Sequence, residues 1–503
     1  MIFKAGFAWL VSCCLMLVPV VDVSAQRNSR PPNIIFILAD DLGYGELGCY
    51  GQSLIRTPHL DQMAAEGVRM TEFYSSSALC APARCMWLTG LHSGHAPIRA
   101  NMEMANGPDS FTDVLECGQV PLASGTPTVA TFLRKVGYVT AVIGKWGLGM
   151  NDTPGNPLNH GFDYFFGYLD QKQAHNYFPT HLWENGERFP LSNPQIRVHS
   201  SIRPEQATDS TFASFIGTTY SIDELTKHSL AFIRENRSRP FFLYYAPTLP
   251  HLALQVPSSA LKEYEGRFPE IPYLGNHGYC PSKSPRATYA AMVSYLDRQV
   301  GELLSELVKL GIDRNTIVVF TSDNGSAFKT GGADPEFFRV NGGLRDFKGS
   351  LYEGGIRVPF IVRWPGRIRP ATIAGPAAGY DLFATFAEIA GSGKVAPPDG
   401  TSLLSLWYGK RERRSPRYYF ELSEYGGQQA VRIGKWKAVR RNMISDELSP
   451  WELYDLSDDP GEAFDVSARF PRRLRRAIKF AAQQHIPVSV PEWNFMDVKG
   501  KSK

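Results

Sequence analysis

Cys80, Pro82 and Arg84 are the residues whose types and spacing best suit chemistry in this chain. Proline is accepted in the first turn of a helix, because its missing N–H group would have no partner there. Cys80 would then stand at the helix N-terminus, where free backbone N–H groups and the helix dipole attract an anion. Arg84, one turn later, can reach the same anion. The spacing indicates a site for sulfate or phosphate; a buried structural thiol is the alternative.

Acidic and amide side chains follow two apolar segments that are far apart in the chain. Asp40 and Asp41 directly follow residues 33–39, and Asp323 and Asn324 directly follow a similar run. Continuous apolar runs are typical of strands buried on both faces of a parallel sheet, whose carboxyl ends carry the sites of open α/β sheets. Grouped carboxylates need a cation, and hard oxygen ligands suit Ca²⁺ or Mg²⁺. Solvated acids at a turn are the alternative.

The Cys-x-Pro-x-Arg pattern resembles the motif of type I sulfatases, which belong to the alkaline phosphatase superfamily. Two further segments are similar to the same family: a Gly-Tyr strand that leads into Gly144-Lys145, and a Lys-Gly-x-x-Tyr-Glu-Gly-Gly run that begins at Lys348. The resemblance covers nearly all of the chain after its N-terminal segment. It implies an α/β fold, with an alkaline-phosphatase-like mixed sheet sandwiched by helices and a smaller C-terminal α+β subdomain.

The resemblance also implies a mechanism. Cys80 would be oxidised to formylglycine (3-oxoalanine), whose hydrate attacks sulfur after Asp323 removes a proton, while His251 protonates the leaving oxygen. The residues expected to be catalytic are Cys80, Arg84, Lys145, His251, Asp323 and Lys348. One Ca²⁺ per chain is expected, and its ligands would be Asp40, Asp41, the modified Cys80, Asp323 and Asn324.

One position departs from the family pattern. Many type I sulfatases carry a His that helps to break down the sulfated intermediate where this chain has Gly147. His175 is a candidate for that work and for a substrate contact, and ordinary packing among aromatic residues is the alternative. The surrounding residues 161–183 show little helical or strand periodicity, so we expect a long loop over the site.

The N-terminus resembles a signal peptide. Lys4 precedes an apolar stretch over residues 5–21, and Val23-Ser24-Ala25 is a small-residue cleavage site, so residues 1–25 are expected to be removed. A lipoprotein signal at Cys13 is the alternative. The apolar stretch is short for a membrane span, so we expect no stable membrane insertion. Export is predicted, to the periplasm, the extracellular space or a lysosome-like compartment.

The rest of the chain divides into two predicted units. We expect a catalytic domain over residues 26–390 and a subdomain over residues 391–503, with a small antiparallel sheet and a final helix from about Arg472. Basic runs at 411–417 and 472–476 could bind an anionic polymer, although a solvated face is the simpler interpretation. A net charge of +4 over 503 residues and the absence of RNA or DNA motifs argue against a nucleic-acid binder.

Four cysteines remain after the signal and Cys80 are set aside, and they could form one or two disulfides: Cys49, Cys85, Cys117 and Cys280. Taken together, the sequence predicts an exported sulfatase that acts on sulfated carbohydrates and depends on a formylglycine-generating enzyme for maturation. A phosphonate or phosphate ester hydrolase of the same superfamily is one alternative. A catalytically silent, glycan-binding relative is another, and Gly147 favours it.

Overall fold

Two β-sheets organise the unit that runs from Pro31 to Lys503. The computed structural model describes residues 30–104, 118–391, 399–410, 416–445 and 449–496. The predicted signal peptide and Cys117 lie outside the described residues. Cys49, Cys80 and Cys85 carry free thiols. Within the described residues, no helix has both the length and the apolar character needed to cross a membrane.

The larger sheet contains eleven described strands, which run in the order β10-β2-β9-β8-β1-β7-β3-β4-β5-β6, with β11 beside β2. Their bounds are β1 Asn33–Ala39, β2 Val68–Tyr74, β3 Val139–Lys145, β4 Tyr164–Tyr168, β5 His181–Glu184, β6 Glu187–Pro190, β7 Phe241–Ala246, β8 Thr316–Ser322, β9 Arg357–Arg363, β10 Ala371–Ile373 and β11 Ala377–Ala378.

The centre of this sheet is parallel, as the apolar runs predict. Strand β1 pairs in parallel with β7 on one side and β8 on the other, and β3 pairs in parallel with β7 and β4. Every residue of β1, β7 and β8 is buried, because both faces of the sheet are covered. Strands β9, β5 and β6 pair antiparallel with their neighbours, which makes the sheet mixed.

Helices cover both faces of the sheet. The described helices are α1 Pro58–Glu66, α2 Cys80–Thr89, α3 Val129–Lys135, α4 Asp209–Ala213, α5 Ser221–Asn236, α6 Ser258–Leu261, α7 Pro285–Lys309, α8 Pro335–Phe338, α9 Glu353–Ile356, α10 Asp381–Ile389, α11 Leu404–Trp407 and α12 Pro471–Ala481. Helices α1, α5 and α7 pack in one apolar cluster, and α2, α3 and α10 pack in a second. The sheet sandwiched by helices confirms the predicted fold class.

The prediction of a long loop over residues 161–183 is wrong. This segment contains β4 and the start of β5, and residues 161–163 and 169–180 are irregular, apart from a 3-10 turn at Gln173–His175. Strand β4 is a run of aromatic residues buried beside β3, so it lacks the alternation that marks a half-exposed strand.

The C-terminal region forms the predicted antiparallel sheet. Its order is β12-β13-β14-β15, with bounds β12 Arg417–Leu422, β13 Gln428–Ile433, β14 Trp436–Arg440 and β15 Glu452–Asp455. Helix α12 begins one residue before the predicted start and packs on β13 and β14. Buried charges join this sheet to helix α9, which directly precedes β9, because Lys437 Nζ lies 2.9 Å from both Glu353 Oε1 and Glu462 Oε1. The exact domain boundary stays a prediction.

Candidate active site

The carboxyl ends of the central strands carry the candidate site. Asp40 and Asp41 follow β1, and Asp323 follows β8, and the last residues of these two strands lie opposite each other in register. Lys145 ends β3, which lies two strands away across β7. Parallel strands bring their carboxyl ends to one edge of a sheet, so residues almost 300 positions apart in sequence meet there.

Cys80 begins helix α2, as predicted. Leu79 precedes it in extended conformation and offers no side-chain cap, and all ten residues of the helix are buried. The backbone N–H of Ala81 donates to Asn101 Oδ1 over 2.9 Å. Cys80 Sγ lies 3.4 Å from Asp40 Oδ1 and 3.8 Å from Asp41 Oδ1. The thiol therefore faces the acids that follow strand β1.

Three cations surround the carboxylates. Lys145 Nζ lies 2.7 Å from Asp40 Oδ2, and Arg84 Nη2 lies 2.7 Å from Asp323 Oδ2. Lys348 Nζ lies 2.7 Å from Asp41 Oδ1. Burial raises the pKa of Asp40, but the charges of the neighbouring cations more than offset this and hold the pKa well below its usual range. The carboxylate stays ionised.

The cluster also offers donor atoms that suit a divalent metal. Asp40, Asp41, Cys80 and His251 each place one ligand atom within 4.8 Å of the others. Asn324 Oδ1 is buried beside this group and has no hydrogen-bond partner among the described residues, although Asn324 Nδ2 donates to Asp41 Oδ1 over 2.7 Å. An unsatisfied amide oxygen next to carboxylates is an arrangement that a hard cation completes.

Asp323 stands at the edge of this group. Its Oδ1 accepts a hydrogen bond from the backbone N–H of Asp41 over 3.1 Å, and its Oδ2 faces Arg84. Burial, followed by the charge of Asp40, raises the pKa of Asp323 to about 6. A carboxyl with this pKa can accept a proton near neutral pH.

His251 lies against the same acids. Its Nε2 is 3.5 Å from Asp41 Oδ2 and 3.4 Å from Lys348 Nζ, while its Nδ1 is 2.5 Å from the carbonyl oxygen of Leu252. Burial lowers the pKa of His251 to about 4, so the resting ring is neutral at pH 7. With Nδ1–H donating to Leu252, the lone pair of Nε2 points to the cluster.

His175 lies directly against His251. The two rings stack with centroids 4.7 Å apart, and His175 Nδ1 lies 3.0 Å from His199 Nε2. Gln171 fills the space next to Gly147, since a Cβ added at Gly147 would lie 2.8 Å from Gln171 Cγ. The backbone φ of Gly147 is +71°. A side chain at position 147 would need both a new backbone conformation and a displaced Gln171.

Several residues near the site carry no local sequence signal. Asn101 Oδ1 accepts the hydrogen bond from the backbone N–H of Ala81, and the backbone N–H of Asn101 donates to Glu424 Oε1 over 2.7 Å. The Tyr279 ring packs edge-on against both His175 and His251. None of these residues follows an apolar strand or belongs to a motif, so only the folded structure could reveal them.

A second cluster of possible ligands lies elsewhere, at His92, His95 and Asp399. Burial lowers the pKa of His92 to about 4, so its ring is neutral at pH 7. His92 Nδ1 accepts the Gly94 N–H over 3.1 Å, which places the ring proton on Nε2, the nitrogen 3.8 Å from Asp399 Oδ1. The Asp399 carboxylate also lies 2.9 Å from His95 Nδ1. This cluster is a hydrogen-bond network with no lone pair of His92 left for a metal.

Comparison with known proteins identifies the family. Residues 32–392 match the family model described as Sulfatase. The chain is a type I sulfatase. Members of this family hydrolyse sulfate esters and belong to the alkaline phosphatase superfamily. The sulfatase is 30% identical to N-acetylgalactosamine-6-O-sulfatase of Bacteroides thetaiotaomicron, over 93% of this chain and 95% of that protein. It is 33% identical to human arylsulfatase A, over 87% of this chain and 84% of that protein.

Its C-terminal part has a match of its own. Residues 343–473 match the model described as N-sulphoglucosamine sulphohydrolase, C-terminal. The solved structure of Ps i-CgsB in complex with k-i-k-neocarrahexaose superposes on the sulfatase with a TM-score of 0.73 and 26% identity, and covers 94% of this chain and 98% of that one. The likeness thus includes both the large sheet and the C-terminal sheet.

Proposed function

We propose that this sulfatase is exported and removes sulfate from sulfated carbohydrates, using a formylglycine made from Cys80 and a bound Ca²⁺. The observation that carries the proposal is the position of Cys80 at the start of α2, with Sγ 3.4 Å from Asp40 Oδ1 and 3.3 Å from Lys348 Nζ. The names of relatives support the substrate class, since one is an N-acetylgalactosamine-6-O-sulfatase and a structural neighbour was solved with a neocarrahexaose.

An unmodified thiol is poorly suited to attack sulfur here. Burial, followed by the charge of Asp323, raises the pKa of the Cys80 thiol well above its usual value. The thiol therefore stays protonated at neutral pH, and the thiolate is the nucleophilic form of cysteine. A hydrated formylglycine would supply two hydroxyl groups on one carbon, one to attack sulfur and one to expel sulfate afterwards. Maturation requires a formylglycine-generating enzyme as partner.

The charges of the cluster explain why a metal and an anionic substrate belong together. The carboxylates of Asp40, Asp41 and Asp323 are matched by the cations Arg84, Lys145 and Lys348. A divalent cation would give this otherwise neutral group an excess of positive charge, which a sulfate ester compensates. The proposed ligands are Asp40, Asp41, modified Cys80, Asp323 and Asn324. When bound, the metal would polarise a sulfate oxygen.

The protein side chains would then divide the work. Arg84, Lys145 and Lys348 bind the sulfate oxygens and stabilise charge that develops during transfer. Asp323 accepts a proton from the nucleophile, which its pKa of about 6 permits. The nearby substrate anion favours a protonated His251, and that ring delivers its Nε2 proton to the leaving oxygen.

The missing motif His at Gly147 requires a different arrangement of bases. We infer that His251 also serves breakdown of the sulfated intermediate and that His175 positions it, because the His175 ring covers one face of His251. This assignment replaces the idea of His175 as the direct base. Donation of a proton to the leaving oxygen and removal of a proton from the second hydroxyl then both take place at His251 Nε2, which lies 3.4 Å from Lys348 Nζ.

Peptide mass and turnover test the proposed function. The peptide that contains Cys80 should carry an aldehyde in place of the thiol when the protein is purified from a host with the maturation enzyme. The same preparation should hydrolyse an aryl sulfate and sulfated oligosaccharides faster than an aryl phosphate diester. A modified enzyme that prefers the phosphate diester would overturn the proposal in favour of the phosphoester hydrolase.

A catalytically silent glycan binder is the second candidate, and Gly147 favours it. Gln171 occupies the space beside Gly147, so a His at this position would require Gln171 to move. An unmodified Cys80 thiol in protein secreted by a host with an active maturation enzyme would support the binder and contradict the enzyme.

A further inference from the structure

The solvent face of helix α12 is strongly basic. Its exposed cations are Arg472, Arg473, Arg475, Arg476 and Lys479. Among the described residues, the ion pairs of the C-terminal sheet involve other cations, and none involves this row; those cations include Arg432, Lys435, Lys437 and Arg441. Neighbouring turns of an α-helix are about 5 Å apart, so the cations form a closely spaced row.

This charge pattern does not stabilise the helix. Arg472 lies near Arg475 and Arg476 at i+3 and i+4 spacing, and like charges at these spacings repel. No acidic residue stands in the first turn, where Arg472 and Arg473 face the positive end of the helix dipole. The row therefore has a local cost, which an external anion would offset.

A small cavity with an aromatic wall adjoins the row. It has a volume of about 160 Å³, and its lining includes Trp436, Arg473 and Arg476. The Arg473 guanidinium lies 6.0 Å from the centre of the Trp436 ring, and Lys435 Nζ lies 5.3 Å from it. Lys435 is also paired with Asp455 over 2.6 Å, so the uncompensated charge is that of the arginines.

The fold holds this surface in place. Trp436 packs on Phe470 with ring centroids 4.8 Å apart, and the apolar side of α12 packs on the C-terminal sheet through Ala477 and Ala481. Arg417 at the start of β12 extends the basic surface, since its guanidinium lies 5.3 Å from the Phe480 ring. None of these side chains contributes to the Cys80 cluster.

We propose that α12 and Trp436 form a second binding site, separate from the active site, for a chain of a sulfated polysaccharide. The arginine row matches repeated sulfate groups, and the indole beside the cavity matches the apolar face of a sugar ring. The choice of a sulfated ligand rests on the proposed function. A membrane surface fits less well, because the apolar face of α12 is already buried against the sheet.

Such a site would hold the polymer while the active site works on a sulfate ester. The second site would therefore affect turnover of long substrates but not of short ones. A short aryl sulfate cannot reach both sites, so its turnover is independent of α12. A long polysaccharide gains effective concentration at the active site from the second attachment.

Equilibrium binding with full-length protein tests the proposal. Arg473→Gln/Arg476→Gln removes two charges from the site, and Arg314→Gln/Arg369→Gln is the control with the same net charge, at exposed positions outside the C-terminal sheet. All proteins carry Cys80→Ala, so that the ligand is not consumed. The probe is chondroitin sulfate of uniform length, with unsulfated chondroitin beside it, titrated calorimetrically at several salt concentrations.

The α12 variant should bind at least about tenfold more weakly than the parent. The slope of its log binding constant against log salt concentration should become less steep by about one for each charge removed. The control variant should stay within about twofold of the parent. Equal losses in both variants, or no loss in either, would overturn the site. Equally tight and equally α12-dependent binding of duplex DNA or anionic vesicles would overturn the assignment to a sulfated polysaccharide.

Activity provides a separate readout. With Cys80 restored, the α12 variant should keep the parent kcat/KM for an aryl sulfate and show a raised KM for the polymer. Binding to α12 does not require turnover, so an inactive enzyme that still binds through α12 would contradict the proposed function alone. An active enzyme whose polymer binding ignores α12 would contradict the second site alone.

Discussion

The imidazole rings of His175 and His251 stack with centroids 4.7 Å apart and planes only 13° from parallel. On its other side, His175 Nδ1 meets His199 Nε2 at 3.0 Å. Burial lowers the pKa of His175 well below its usual value, so this ring is a neutral spacer behind His251. The stack holds one face of His251 while leaving Nε2 directed at Asp41 and Lys348.

His251→Ala should slow hydrolysis most for substrates with poor leaving groups, because proton donation matters most when the departing oxygen is basic. We expect kcat/KM to fall about 10²-fold or more for a sugar sulfate. The slope of log kcat/KM against leaving-group pKa, measured with a series of aryl sulfates, should become steeper. His175→Ala should give a smaller fall with the slope unchanged. A His251→Ala enzyme with the parent slope would rule out its role as acid.

Cys80→Ser should accept the sulfuryl group and then stop. Serine offers one hydroxyl, so it cannot expel sulfate by re-forming an aldehyde. Intact mass after incubation with substrate should show one added sulfuryl group, and turnover should be lost. Cys85→Ala is the control: this thiol lies in the same buried helix, has a pKa raised to about 12 by burial, and has no part in the acid cluster. Full turnover by Cys80→Ser would exclude the mechanism.

Lys348→Met should lower kcat/KM by about 10²-fold or more, as loss of one preorganised donor does in other enzymes. The ammonium lies 2.7 Å from Asp41 Oδ1 and 3.3 Å from Cys80 Sγ, so its loss removes positive charge where sulfate would bind. Steady-state kinetics with an aryl sulfate measure the change. Lys227→Met, on the exposed side of α5, should leave kcat/KM within about twofold, and a similar loss in both variants would contradict a specific role.

Added Ca²⁺ should raise the melting temperature, and a chelator should reverse the effect. A ligand that binds only the folded state at 100 times its Kd stabilises by about 2.7 kcal/mol. Asn324→Leu removes the buried amide oxygen without a hydrogen-bond partner and should weaken the response to Ca²⁺. Asn315→Ala should respond like the parent. The proposed metal site would be wrong if Asn324→Leu kept the full shift.

The two carboxyls beside Lys437 should respond oppositely to pH. Burial raises the pKa of Glu353, but Lys437 and Arg357 outweigh this and lower it from 4.5 to about 2. Its contribution to stability is therefore present above pH 4.5 and is lost as pH falls toward 2. Burial raises the pKa of Glu462 from 4.5 to about 7, so its ionisation costs stability as pH rises from 4.5 to 7.

Urea unfolding at pH 7 and at pH 4 tests this difference. Glu353→Gln should lower the free energy of unfolding at pH 7 by about 3 kcal/mol, because it breaks a buried ion pair. Its deficit should shrink at pH 4, because the unfolded parent begins to take up a proton at Glu353 below pH 4.5 while the folded parent still carries the charge. The free energy of unfolding of Glu462→Gln, relative to that of the parent, should be higher at pH 7 than at pH 4. Identical pH responses of the two variants would contradict the opposite shifts.

Local sequence patterns were enough to predict the acids, Asn324, Cys80 and Arg84 of the cluster, whereas Lys145 and Lys348 were predicted through the family resemblance. Asp40 and Asp41 after one apolar strand, Asp323 and Asn324 after another, and Cys80 at a helix start are local patterns. Strand burial and helix-end chemistry depend on neighbouring residues in the chain, so these patterns could be interpreted without a structure. The parallel centre of the sheet and the final helix followed from the same local rules.

Only the tertiary structure decided what surrounds that cluster. The stack of His175 on His251, the Asn101 contact with Ala81 and the occupation of the Gly147 space by Gln171 join segments whose separation in sequence carries no signal. The same holds for strand β4, where the sequence predicts a loop because strands buried on both faces do not alternate. Likewise, the basic run at Arg472 became a candidate site only once folding placed it beside the Trp436 cavity, because packing between distant segments determines such surfaces.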